Sequence, residues 1–177
     1  MALKATSSPI AVSTSVTQAV ASTFEVVPVD LQLNPLDNEV FVVTAVKIDY
    51  DNLPTATAAP NLFTQGDFKV SICKSRPAAM QSIGSSNCIA ASVLLFSEIY
   101  DGSANGLSTT FLENSPMDTP PADQMYLDIV ATDNFFIALD GTNAANALEA
   151  EIRVYGYRAR ADASTYAALV QSEVLSA

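Results

Sequence analysis

From Thr23 to Ala161 the apolar residues of this chain recur mostly at every second position. The stretch DFKVSICK is the cleanest case: Phe68, Val70 and Ile72 fall on one parity, and Asp67, Lys69, Ser71 and Cys73 on the other. Side chains of an extended backbone alternate between faces, so this period specifies strands with one buried face, with Cys73 on the outer one. Helical periodicity returns only after Ala161. A chain patterned this way folds by layering sheets.

The other strands follow from the same parity. In TFEVVPVDLQL the apolar positions move from even (Phe24, Val26) to odd (Val27, Val29, Leu31, Leu33) around Pro28, which marks a bulge or a sheet edge. EVFVVTAVKIDYD carries Val40, Val42, Val46, Ile48 and Tyr50 on one parity and Phe41 and Val43 on the other, so it is covered on both faces at its start and solvated at its end. CIAASVLLFSEIY reads as a buried strand and LSTTFLEN as a short one. QMYLDIVAT (Met125, Leu127, Ile129 inward) and NFFIALDGT (Phe135, Ile137, Leu139 inward) are separated only by a turn near Thr132 and Asp133, and are expected to form a hairpin. In ALEAEIRVYGYRARA, Leu148, Ala150, Ile152 and Val154 face inward, Glu149, Glu151, Arg153, Tyr155 and Tyr157 outward, and Gly156 marks a bulge.

These strands predict an all-β fold: an eight-stranded antiparallel β-sandwich, the jelly-roll count, in which the first and last strands are neighbours. An immunoglobulin-like sandwich is the alternative, but the chain has no Trp for the usual Cys…Trp…Cys pattern. Residues 1–22 hold eight Ser or Thr, one Lys and no acid, and read as an extended N-terminal arm ordered only by docking. Residues 23–161 are the sandwich. Residues 162–177 are a short C-terminal helical tail capped by Asp162 or Ser164, with Tyr166, Leu169, Val170 and Val174 as its apolar stripe. A helix this short is marginal alone, so the stripe packs on its own sandwich or on a neighbouring subunit.

The residue inventory narrows the chemistry. With no His, no Ser-His-Asp, Cys-His or His-based metal site can be built within the chain. No nucleotide-binding or nucleophile-elbow motif is present. Acids such as Asp128 and Glu151 read as solvated outer-face residues rather than a catalytic pair, so neither an enzyme nor a cofactor is expected. Cys73 and Cys88 read as two unpaired, buried thiols. Asp49, Asp51 and Asn52, with Asp101 and Asn105, are the weak calcium candidates; ordinary turn chemistry accounts for them as well. The net charge of −11 disfavours nucleic acid. No apolar run is long enough for a membrane span or a signal-peptide core, so the chain is expected to be made in the cytoplasm.

Charged residues make up only 15% of the chain and apolar ones 49%, which suggests a surface largely covered by neighbours. The interface candidates cluster late. Arg158 and Arg160 sit where the last strand leaves the sheet and could hold a neighbour's carboxylates. Tyr155 and Tyr157 share the outward parity, and Tyr166, Leu169, Val170 and Val174 lie on the tail.

With strands, arm and tail placed, the chain resembles a single jelly-roll capsid (coat) protein of an icosahedral virus, most closely in FFIALDGTNAANALEAEIRVYGYRARAD, a last hairpin and closing strand. The resemblance implies a self-assembling virion shell subunit whose terminal arms exchange contacts between copies, with copies of itself and other virion proteins as partners. Many such coats bind the genome through a basic arm; here the arm carries only Lys4, so direct nucleic-acid binding is not expected. A decoration or cement protein on a preformed shell, and a carbohydrate-binding or adhesin module, are the alternatives that share the fold.

Overall fold

The computed structural model describes residues 3–51, 63–100, 107–114, 118–120, 122 and 124–175. Its strands are β1 (Leu3–Ala5), β2 (Ile10–Thr17), β3 (Glu25–Asp30), β4 (Glu39–Tyr50), β5 (Phe63–Cys73), β6 (Cys88–Tyr100), β7 (Leu107–Asn114), β8 (Asp128–Val130), β9 (Asn134–Thr142) and β10 (Glu149–Ala161). One helix, α1 (Ala163–Leu175), follows.

The strands form two antiparallel sheets. Sheet A runs β2-β10-β4-β8, with β1 continuing along the β2 edge of β10; sheet B runs β3-β9-β5-β6-β7. Leaving out β1 and β7, the remaining eight strands are divided between the sheets so that first pairs with last and second with next to last, which is the jelly roll. The first strand of the roll is β2, inside the segment read as an arm. Ile10–Thr17 pairs along Gly156–Glu149, Leu3–Ala5 along Ala161–Ala159, and Thr6 N donates to Arg158 O (2.8 Å) between them. Residues 3–5 and 10–17 therefore belong to the sandwich. Their Ser- and Thr-rich outer parity hid an inner row, Val12, Thr14 and Val16.

The core lies between the layers. Phe68, Phe135, Ile137 and Leu139 are fully buried, with Val70, Ile72, Leu148 and Ile152 around them. Each such side chain contributes about 1.5–3 kcal/mol relative to exposure. On β4 the core parity changes at Thr44, the extra residue opposite the Tyr155/Gly156 step, whose hydroxyl donates to Tyr155 O (3.2 Å). Before it Phe41 and Val43 enter the core; after it Val46 and Ile48 do. The register break does fall at Gly156, but the bulge is on β4 and Gly156 lies opposite it, where a Cβ would run into Val42 O and the Phe41 ring. Pro28 lies on an edge strand, and β3 keeps register with β9 throughout.

Three local expectations change. β8 and β9 are not a hairpin; β8 pairs with β4 in sheet A and β9 with β3 and β5 in sheet B, so Thr132 and Asp133 carry the chain between layers. Alternation records which face is buried, not which strand lies alongside. Met125 is exposed, and Ile129 faces outward beneath α1 while Val130 enters the core. Cys73 keeps its parity but is fully buried, because the β5–β6 connection returns over that end of sheet B, where Met80 Sδ accepts from Ser71 Oγ (3.2 Å). Cys73 and Cys88 are opposite each other on β5 and β6, both buried and unbridged.

Candidate interaction surface

The proposed interface residues are mostly occupied within the chain. Tyr166, Leu169 and Val170 pack on Val40, Val42, Ile129, Ala159 and Ala161, closing a second apolar layer between α1 and the outer face of sheet A, with Tyr157 at its margin. The stripe thus docks on its own sandwich. Asp162 caps the helix: its Oδ1 accepts from Thr165 N (2.8 Å) and Ser164 Oγ (2.6 Å), which holds its carboxyl down at about 2. Val174 is off the buried stripe and 66% exposed. In its place Glu173 is buried, with Oε1 accepting from Ala131 N (2.6 Å), and burial raises its carboxyl above the ordinary range. It lines a cavity of about 280 Å³ with Lys74, Thr132, Asn134, Phe136 and Val174.

The arginines also hold carboxylates of their own chain. Arg158 Nη2 donates to Leu31 O (3.0 Å) and its Nη1 lies 3.7 Å from Glu39 Oε2. Arg160 Nη2 lies 2.6 Å from Asp37 Oδ1, in the 3-10 turn Pro35–Asp37. A loop thirty residues from the start of the chain returns to β10, which parity cannot foresee. Of the calcium candidates, Asp49 is ion-paired with Lys47, Asp51 N donates to Glu149 O (3.3 Å), and Asp101 lies outside the described residues. Among the described residues no three metal-ligating side chains are grouped to hold an ion.

What remains outward falls on two sides of the sandwich. On sheet A beyond the helix, register aligns side chains into rows across β2, β10 and β4. Ser13, Arg153 and Lys47 form one, Ser15, Glu151 and Asp49 the next, and Ala11, Tyr155 and Ala45 a third, with Tyr155 half-buried. Like charges therefore stand abreast: Arg153 beside Lys47, Glu151 beside Asp49. Arg153 Nε donates to Ser13 Oγ (3.1 Å), and Lys47 pairs along its own strand with Asp49. On sheet B, Leu95 and Leu112 are cross-strand partners on β6 and β7, 45% and 64% exposed, with the half-buried Val93 beside them. The sequence placed β6 as a buried strand and β7 as a short one, and did not show that this pair faces water.

These two surfaces belong to the class of jelly-roll β-sandwiches, an assignment resting on strand order. No family model matches the chain, and no curated protein does. Among solved structures there is remote similarity to viral proteins. The VP1 of Trichodysplasia spinulosa-associated polyomavirus is 6% identical, with 90% of this chain and 99% of that chain covered at a TM-score of 0.42. The same protein in complex with GM1 oligosaccharide is 8% identical over 88% and 97%, at a TM-score of 0.40. Desmodium yellow mottle tymovirus is 12% identical over 89% and 91%, at a TM-score of 0.25.

Proposed function

We propose that the chain is a virion structural protein, a jelly-roll subunit that assembles with copies of itself into a capsid shell. The observation that carries this reading is the placement of uncovered contact surfaces on both layers of one closed sandwich. Leu95 and Leu112 lie exposed on sheet B, and the uncharged strand β2 borders sheet A. A closed dimer needs one self-complementary patch, whereas a shell subunit needs contacts on several sides. The interior supports the same reading, because the core is filled by side chains such as Phe68 and Phe135. Recognition is thereby left to outer faces and edges.

Purified protein examined by light scattering and electron microscopy tests this. Regular particles, or discrete oligomers that grow into them with concentration, are expected. A monomer at all concentrations that binds only to a preformed shell would replace the reading with a decoration role. A monomer that binds oligosaccharide would replace it with a carbohydrate-binding module.

A further inference from the structure

We infer that β2 is the dimer-forming edge of the protein, pairing antiparallel with β2 of a second copy so that sheet A continues across a two-fold axis. This deepens the shell reading by naming one of its contacts. Among the described residues β2 pairs only with β10, leaving its other side open. Gln18 N donates to Leu148 O (3.0 Å), and alternate residues of an antiparallel ladder bond to the same neighbour. Val12, Thr14 and Val16 therefore bond to β10, and the N–H and C=O groups of Ala11, Ser13, Ser15 and Thr17 point away from it.

Edges left open are normally protected by charge, proline or shortness. β3 has Pro28 in its middle and Glu25 and Asp30 at its ends, and β8 has three residues. β2, IAVSTSVT, has none of these over eight residues. It is a pairing edge without a guard.

The strand also fits itself. With Thr14 on the axis, Ser13 faces Ser15 of the second copy through hydrogen-bonded pairs, and Val12 faces Val16, extending the core row. This register keeps inward residues inward, which an odd shift would reverse. It also resolves the like-charge rows. The row Lys47–Arg153–Ser13 continues into the second copy's Ser15–Glu151–Asp49, and the negative row into its positive one. Charge complementarity of this kind favours a second copy over an unrelated strand.

The test is a cysteine on the axis. Opposed residues in a non-hydrogen-bonded antiparallel pair have Cα atoms close enough for a disulfide. Under mild oxidation by copper phenanthroline, full-length Thr14→Cys is expected to run as a linked dimer on a non-reducing gel. Ile10→Cys, which this register sets opposite Gln18, is expected to stay monomeric. Ser13→Pro, which removes an outward N–H, is expected to weaken association by about tenfold or more, while Ser13→Ala leaves it in place. Thr14→Cys that links no better than Ile10→Cys overturns the inference, whatever Ser13→Pro does. If the wild type still forms particles in that case, the shell reading stands without this contact. Efficient Thr14→Cys dimers from a protein that never forms particles would keep the edge and remove the shell.

Discussion

Gly156 is where one missing atom shapes the sandwich. The sequence marks it as a break in an inward row, and the structure supplies the cause: the Phe41 ring and Val42 carbonyl occupy the space a Cβ would take. Gly156→Ala is expected to destabilise the fold by about 1–3 kcal/mol, read from the midpoint of urea unfolding, because both neighbours belong to a central strand and cannot withdraw. The burial of Glu173 was missed. The stripe Tyr166, Leu169 and Val170 continues by helical period at 173 rather than 174, but an acid there reads as solvated until the β8–β9 connection beneath α1 brings Ala131 N to donate to it. Burial raises its carboxyl above the usual 4.5, so the folded state binds that proton more tightly than the unfolded one. Stability linked to Glu173 therefore increases as pH falls through the region just above 4.5 and is lost as pH rises. Melting curves should show Glu173→Gln to be at least as stable as the wild type near pH 7, with the wild type gaining on it as pH falls toward 4.5. An equal response to pH in the two proteins would place the carboxyl in water.

At the scale of elements, strand positions were largely legible and strand partners were not. Period two located most of the strands from β3 to β10, with β6 read from its apolar run and β7 as a short strand. It could not separate a hairpin from a crossover at Thr132 and Asp133, and it missed β2 because Ser13, Ser15 and Thr17 on the exposed side mask the row of Val12, Thr14 and Val16. That omission reverses the expectation for the N-terminus. Val16 and Gln18 are buried, and β2 covers eight residues of β10. Deleting residues 1–22 should therefore lower the melting temperature by about 10 °C or more, or leave the protein insoluble. An unchanged melt would return the segment to the status of a dispensable arm. The helix behaves differently, since it adds a second apolar layer to a sheet already packed on its other face. Asp162→Ala should lower helix stability at neutral pH. The cap's contribution is present above the unfolded carboxyl value of 3.8 and is lost as pH falls through about 2, so circular dichroism of wild type and variant should converge there.

For the whole molecule, association sets attraction against net charge. A domain of 177 residues is about 40 Å across, and two bodies of charge −11 at that separation repel by about 13 kcal/mol in water before screening. The complementary rows on sheet A act over three strand spacings, about 14 Å, where one unscreened pair is worth only about 0.3 kcal/mol. Repulsion therefore dominates the long-range term, and the rows select register rather than supply affinity. The attraction comes from strand pairing and apolar contact, which salt leaves intact while it shortens the screening length from about 10 Å at 0.1 M to about 3 Å at 1 M. Light scattering across that range should show assembly strengthening as sodium chloride rises, and strengthening also as pH falls toward the isoelectric point near 4.1. Contacts built mainly on ion pairs between copies would reverse the salt trend, since screening would remove the attraction first. A fall in particle mass with added salt would thus move the contacts from uncharged strand edges and leucine pairs to the charged rows of sheet A.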